Sequence, residues 1–248
     1  MQYDRIVSKR KDKVVYKNGD NAIKVFDIKY SKTEVLNEAL NQARIEETGL
    51  RIPRIREVTN IDGKWAIVSD FIAGKTLESL IREIPEEEDN FLDKFIEIQM
   101  LIHTKRSPLL SKLKDKLNRK ISNSSLDDDI KLSLYSRLES MPMYNNVCHG
   151  DLDPSNIIVT EENEIYILDW SHATQGNPAQ DAARTYLLFV LKGQNKMAEK
   201  YLKFFSEKSG IERDSIKKWL PLVAASESLT GKQEDWPILK TFIDSVEE

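Results

Sequence analysis

The pattern of apolar and polar positions changes character along the chain. Residues 1–30 carry short β-prone bursts at Ile6-Val7, Val14-Val15-Tyr16 and Ala22-Ile23-Lys24-Val25-Phe26. Asn18-Gly19 between the last two is a hairpin signal, which predicts a three-stranded antiparallel start. Residues 33–49 switch to helical spacing, with Val35, Leu36, Ala39, Leu40, Ala43 and Ile45 as apolar positions and Gly49 as the stop. Pro53 opens two further strands, 55–59 and 65–69, joined through Asp62-Gly63. From Thr76 onward the pattern is mainly helical. Pro85 followed by Glu86-Glu87-Glu88-Asp89 puts proline and acids at a helix start, facing the positive end of the dipole, and leads into a strongly apolar helix over 91–103. Ser122-Asn123-Ser124-Ser125 reads as a loop, Asp127-Asp128-Asp129 as the start of another helix, and 186–191, 201–205 and 216–229 as helices. One hairpin interrupts them: Ile157–Val159 and residues 165–168, joined by the polar turn Glu161-Glu162-Asn163-Glu164. The expected fold class is α+β. A smaller part, residues 1–72, has five antiparallel strands and one helix, and a larger, mainly helical part covers 73–248.

Composition narrows the function classes. Lys and Arg total 37 against 41 Asp and Glu, a net charge of −4, so no basic excess points to nucleic acid as a partner. Such a mildly acidic surface tolerates a cationic small molecule. The single cysteine, Cys148, excludes an intramolecular disulfide; no Cys/His spacing suits zinc, and Cys148 reads as a small buried hydrophobe. The amino terminus MQYDRIVSKRKDK has no apolar core of a signal peptide, and no run approaches the roughly 18 apolar residues of a membrane span. The expectation is a soluble cytoplasmic protein with no membrane partner. No pattern specifies an oligomeric state.

The chemistry concentrates in residues 147–170, VCHGDLDPSNIIVTEENEIYILDW. His149-Gly150-Asp151 follows an apolar pair, Asn156 comes five positions after Asp151, and Asp169 ends the second strand of the hairpin. A phosphotransfer centre needs this set. One loop presents a carboxylate to a substrate hydroxyl and an amide oxygen to a metal, while a neighbouring strand brings a second carboxylate to that metal. The hairpin is expected to bring Asp151 and Asp169 together at one end.

This loop resembles that of the aminoglycoside phosphotransferase and choline kinase group, small-molecule relatives of the protein kinases that carry His-Gly-Asp. The segment Gly176-Asn177-Pro178-Ala179-Gln180-Asp181-Ala182-Ala183-Arg184 resembles the one that follows the metal-binding Asp there. The resemblance implies a two-lobed, protein-kinase-like fold and transfer of a phosphoryl group from ATP with Mg2+. It implies Asp151 as catalytic base and Asn156 and Asp169 as Mg2+ ligands. Lys24 matches the Val-Ala-Ile-Lys position that pairs with the α- and β-phosphates. Glu38 best matches the carboxylate that positions this lysine, with Glu34 one turn earlier as its competitor. The turn expected to cover the phosphates is 8–13; it contains no glycine, so backbone N–H groups, Ser8 or local basic side chains would meet phosphate there. Asp70, Phe71 and Ile72 match the hinge, where backbone groups of about Asp70 and Ile72 hold adenine. Gly74-Lys75-Thr76 imitates the end of a Walker A loop but lacks the first glycine, since Ser69 stands there.

Other residues read as structural. His103 fits a capping or packed histidine, and Asp127-Asp128-Asp129 a solvated helix start rather than a metal site. Asp181 is expected to cap a helix starting at Ala182 and to buttress the catalytic loop. The interval from Asp169 to Asp181 is too short for a protein kinase's activation segment, so the acceptor is expected to be a small-molecule hydroxyl. An aminoglycoside would call for converging acids, with Glu227, Glu234, Asp235, Glu247 and Glu248 available. Choline or another quaternary amine would call for an aromatic cage, with Trp170, Tyr186, Trp219 and Trp236 available. Ethanolamine, thiamine, a ketosamine or a sugar stays open. The reading from another class is a nucleotide-binding protein of this fold without the reaction. The presence of Lys24, Asp151 and Asp169 together favours an enzyme.

Overall fold

The computed structural model describes residues 4–10, 12–229 and 231–247. Glu248, the side chain of Glu247 and Lys11 of the 8–13 turn lie outside the described residues. The chain folds into two compact units, Met1–Glu88 with Pro154–Ala173, and Asp89–Asp153 with Thr174–Glu248. This division differs from a single cut at residue 72. The cause is a small antiparallel sheet in which Lys75–Thr76 pairs with Ile157–Val159 and that strand pairs with Ile165–Ile167, so the later hairpin joins the first unit.

The first unit is built on five antiparallel strands: β1 (Arg5–Lys9), β2 (Lys13–Asn18), β3 (Asn21–Phe26), β4 (Ile55–Ile61) and β5 (Lys64–Asp70), in the order β1-β2-β3-β5-β4. Asn18 pairs with Asn21, so Gly19-Asp20 forms the loop between β2 and β3, one position later than the Asn-Gly reading. Helix α1 (Lys32–Glu46) lies on one sheet face, where Phe26, Val35, Ala39 and Ile67 form a core with Tyr30, Ile55, Val58 and Trp65 packed against it. Its start is a capping box: Ser31 accepts from the Glu34 N–H, and the Glu34 carboxylate accepts from the Ser31 N–H. Val35, Ala39 and Ile45 are buried, whereas Leu36 and Leu40, also expected on the apolar stripe, are exposed. Lys24 and Phe26 are two apart on β3 and so share the face that α1 covers.

Gly74 has a packing reason unrelated to phosphate. A Cβ there would lie 2.4 Å from the Val159 carbonyl oxygen and 2.7 Å from Ile158 Cγ2, so only glycine lets the chain enter the small sheet. Beyond it, Lys75 pairs with Glu83 and Thr76 caps helix α2 (Leu77–Glu83) by accepting from the Ser79 N–H.

The second unit is helical: α3 (Glu88–His103), α4 (Leu113–Ser122), α5 (Asp128–Ser140), α6 (Pro178–Leu191), α7 (Asn195–Ser209), α8 (Arg213–Lys217), α9 (Leu220–Ser228) and α10 (Trp236–Asp244). The helix expected over 216–229 is split into α8 and α9, with Pro221 in the first turn of α9. Between α3, α6 and α7, Phe95 packs edge to face against Phe189 and Tyr201, and Tyr201 packs at a tilt against Phe189 and Phe205. Gln99 is buried among them because both ends of its amide are used: it donates to Thr185 at 3.2 Å and accepts from the Tyr201 hydroxyl at 2.7 Å. Thr185 in turn donates to the Leu152 carbonyl, which ties this core to the loop 149–153. Among the described residues no helix is long and apolar enough to cross a membrane.

Gly74→Ala should therefore lower stability by about 1–3 kcal/mol through overpacking against Val159. Lys75→Ala, which removes only an exposed ion pair, should stay within about 0.5 kcal/mol of wild type. Urea unfolding of the two variants checks the contrast.

Candidate active site

In the first unit three strands and one helix converge on a cluster of charges. The Lys24 ammonium lies 2.5 Å from Glu38 Oε1 and 3.1 Å from Asp169 Oδ1, and Lys13 holds the other Glu38 oxygen at 2.8 Å. Glu38, not Glu34, meets Lys24, because Glu34 is consumed by the helix cap one turn earlier. Lys13 was not singled out by the sequence reading, although strand alternation carries the signal. Lys13 pairs with Phe26 and Val15 with Lys24, which puts both lysines on the face below α1. The Lys13 ammonium also lies over the rings of Phe26 and Tyr30.

Asp169 has a left-handed backbone, φ 60° and ψ 63°, a conformation that costs a residue with a side chain about 1–3 kcal/mol. Its carboxylate compensates by accepting from Lys24 and, at 3.0 Å, from the Ser171 hydroxyl. Burial alone would raise the Asp169 pKa, but the charges of Lys24 and Lys13 and these hydrogen bonds hold it well below the usual carboxylate range. For Lys24, burial works against the charged form, and Asp169 and Glu38 outweigh it, so its pKa is raised. Asn156 is buried, and its carbonyl accepts from the Leu168 N–H at 2.8 Å. With Ile157 paired to Ile167, this sets Asn156 and Asp169 at the same end of the hairpin. An ionised carboxylate beside an amide oxygen is a set of hard donors that suits Mg2+.

The boundary between the units falls after Asp153, so Asp151 belongs to the second unit. There the loop is held from beneath by Asp181, which is fully buried. Its carboxylate accepts from the Gly150 N–H at 2.7 Å, the His149 N–H at 3.2 Å and His103 Nε2 at 2.8 Å. Gly150 takes a φ of 77°, which a residue with a side chain rarely adopts, and this turns both N–H groups towards one carboxylate. Burial would push the Asp181 pKa up; the hydrogen bond and charge of His103 and the Gly150 N–H outweigh it and lower it. Asp181 thus braces the loop but is not the helix cap. Asn177 is: it accepts from the Ala179 N–H at 2.8 Å, and Pro178, which lacks an N–H, fits the first helical position. His103, Cys148 and Asp181 approach within 4.8 Å of one another, but Asp181 is saturated and burial pushes the Cys148 thiol well up, so the trio is a packed brace rather than a metal site.

Asp151 is gripped by a residue that the sequence reading quoted but gave no role. Arg184, on α6, donates to Asp151 Oδ1 at 3.0 Å and reaches Glu227, on α9, at 2.8 Å. All three side chains are largely buried, and no local pattern announces a contact spanning residues 151–227. Lys116 and Lys120, one turn apart on α4, complete this surrounding. Burial lowers the Lys116 pKa to about 7, assisted by Lys120, Arg184 and Arg119 and opposed by Asp151. Burial likewise lowers that of Lys120, whose ammonium donates to the Ser226 carbonyl at 3.2 Å.

The remaining expected residues fall as follows. Ser8 is exposed and lies in β1 opposite Val15, beside a register shift, rather than in the turn between β1 and β2. Asp70 ends β5; its N–H donates to the Arg54 carbonyl and the Phe71 N–H to the Asp20 carbonyl. Ile72 follows beyond the sheet. Asp127 stands at the N-cap position of α5 without a side-chain cap hydrogen bond, and Asp128 and Asp129 form its first turn. Glu234 pairs with Lys232, and Asp235 accepts from the Lys232 N–H. Trp170 and Trp219 are each 1% exposed and the Tyr186 hydroxyl donates to Glu199, so the aromatic residues proposed for a cage are mostly core.

With this geometry in place, the sequence model of the phosphotransferase enzyme family matches residues 7–219. The chain belongs to this family. It is accordingly a small-molecule phosphotransferase of the kinase type. Among curated proteins none matches it in sequence. Solved structures share its kinase-like fold. A thermostable mutant of aminoglycoside phosphotransferase APH(4)-Ia, in ternary complex with AMP-PNP and hygromycin B, has 14% identity and a TM-score of 0.69, covering 98% of this chain and 92% of that one. Choline kinase LicA from Streptococcus pneumoniae has 16% identity and a TM-score of 0.64, covering 99% and 94%. An aminoglycoside-3'-phosphotransferase of type VIII has 14% identity and a TM-score of 0.66, covering 91% and 93%.

In this phosphotransferase Asp169 and Asp181 both have folded pKa values below the ordinary carboxylate value. Their contribution to stability is present above about pH 4 and is lost as pH falls through the lowered values. The urea midpoint should fall steeply below about pH 4. Asp181→Asn should be less stable at pH 7 by about 2 kcal/mol and show a shallower acid limb. Midpoints measured from pH 2 to 7 check both.

Proposed function

We propose that this phosphotransferase moves the γ-phosphoryl group of ATP to a hydroxyl of a small molecule, with Mg2+, in the cytoplasm. The observation that carries the reading is the Lys24 ammonium held between Glu38 and Asp169. A fixed cation beside an ionised carboxylate is what a triphosphate with its metal needs. Lys24 and Lys13 supply positive charge towards phosphate oxygens, and Glu38 keeps both lysines in place. Asn156 and Asp169 would hold Mg2+, which when bound neutralises phosphate charge. The backbone C=O of Asp70 and the N–H of Ile72 are the groups proposed for adenine. Ser8, exposed on β1, is the hydroxyl proposed nearest the phosphates. Asp151 orients the acceptor hydroxyl and takes its proton; the grip of Arg184 keeps the carboxylate in one orientation. Asp181 fixes the loop that carries it.

The resemblance of the catalytic loop to aminoglycoside phosphotransferases and choline kinases supports a compact hydroxyl acceptor. The structure gives neither acceptor set special support: Glu227 is neutralised by Arg184, and Trp170 and Trp219 are core.

ADP release under Mg-ATP, measured across aminoglycosides, choline, ethanolamine, thiamine, ketosamines, sugars and hydroxy acids, tests the reading. An acceptor should raise the rate, and Asp151→Asn should lower kcat by about 10²–10⁴-fold while leaving nucleotide affinity unchanged. Unchanged turnover in Asp151→Asn, or nucleotide binding indifferent to both Mg2+ and Asp169→Ala, would contradict it.

A further inference from the structure

The turn between β1 and β2 is short, and it carries an acid where a phosphate cradle would need glycine. The Arg10 N–H donates to the Lys13 carbonyl at 2.9 Å, so only Lys11 and Asp12 separate the paired residues. Asp12 puts a carboxylate into the turn, where it pairs with Lys29. Lys13 is the first residue of β2, and its side chain leaves this turn for the sheet face that α1 covers.

Lys13 and Lys24 share one carboxylate but differ in what else holds them. Lys13 lies 2.8 Å from Glu38 Oε2; Lys24 takes Glu38 Oε1 at 2.5 Å and Asp169 Oδ1 at 3.1 Å. Lys24 is thus fixed between two carboxylates. Lys13 has Glu38 and the ring faces of Phe26 and Tyr30, whose centroids are 4.9 and 5.4 Å from its ammonium. An aromatic face holds a cation less tightly than a carboxylate does, so Lys13 is the lysine that can exchange its partner for a phosphate oxygen.

The strand register says which phosphate that is. Asn21 of β3 lies opposite Asp70 and Lys24 opposite Ile67, so distance from the hinge residue Asp70 grows along β3 towards Phe26. Lys13 is paired with Phe26, two positions beyond Lys24 on the same face, which is roughly 6–7 Å further from the hinge at the rise of a strand. With adenine at Asp70 and Ile72 and the α- and β-phosphates at Lys24, the terminal phosphate reaches Lys13.

We propose that Lys13 is a specificity-determining residue that binds the terminal phosphate in place of a glycine-rich turn, exchanging Glu38 for phosphate oxygens while Lys24 keeps its carboxylates. This assignment rests on the kinase reading for where the adenine lies.

Calorimetric titration of the full-length protein with AMP-PNP, ADP and AMP, each with Mg2+, tests it. Lys13→Met should weaken AMP-PNP by at least about tenfold and ADP and AMP by less than about threefold, since only AMP-PNP carries the terminal group. Lys13→Arg should restore most of the AMP-PNP affinity. Lys13→Gln, whose amide can still donate to Glu38, should lose AMP-PNP as Lys13→Met does, and it keeps the test decisive if Lys13→Met unfolds. A lysine that merely neutralised Glu38 would act through Lys24 and weaken ADP and AMP-PNP by the same factor; that result, or unchanged AMP-PNP affinity in Lys13→Gln, would overturn the assignment and leave the kinase reading standing. Absence of binding of all three nucleotides to the wild type would sink the kinase reading and the assignment with it.

Discussion

The ion cluster of Lys24 with Glu38 and Asp169 constrains most of what surrounds it. A half-buried lysine between two carboxylates is stable only if all three are held in register, because removing one partner leaves an uncompensated buried charge. Several features of the first unit meet that demand. β3 presents Lys24 on the face covered by α1, and the capping box at Ser31 sets the start of α1 so that Glu38 arrives over the strand. The hairpin ends at Asp169 in a strained left-handed backbone that Lys24 and Ser171 stabilise.

The second unit solves a different problem with a similar device. The backbone N–H groups of the loop that carries Asp151 cannot all pair within secondary structure. A single buried carboxylate, Asp181, takes two of them and is itself held by His103. Further along, the Leu152 carbonyl is fixed by Thr185, and through Gln99 and Tyr201 by the aromatic core. The loop that carries Asp151 is thus braced at its backbone, and the Asp151 side chain is restrained by Arg184.

Much of this was legible in the sequence where the signal is local. Five strands, the helix between the third and fourth of them and the hairpin between Asn156 and Asp169 follow from alternation, helical spacing and turn residues, and Glu38 followed from its match to the lysine-positioning carboxylate of the resembling family. What was not legible depends on tertiary packing. Leu36 and Leu40 fit the helical stripe of α1 yet are exposed, because the sheet covers only the face of Val35 and Ala39. Asp181 looked like a cap because carboxylates often cap helices, but Asn177-Pro178 is the stronger start signal and frees Asp181 to brace the loop. The joining of Lys75–Thr76 to the later hairpin moved the unit boundary, since two residues of strand carry almost no pattern. Asp151, Arg184 and Glu227 converge from a loop and two helices, and nothing along the chain records that meeting.

The central claim is that the Lys24 cluster is the phosphate-binding and metal-binding half of a phosphotransferase site. Calorimetric titration of AMP-PNP into wild type and Lys24→Met, each with and without Mg2+, tests it most directly. The account predicts Mg2+-dependent binding in wild type, weakened by at least about tenfold in Lys24→Met, the loss of one charge-assisted contact to phosphate. Equal affinity in both proteins, unaffected by Mg2+, would contradict it.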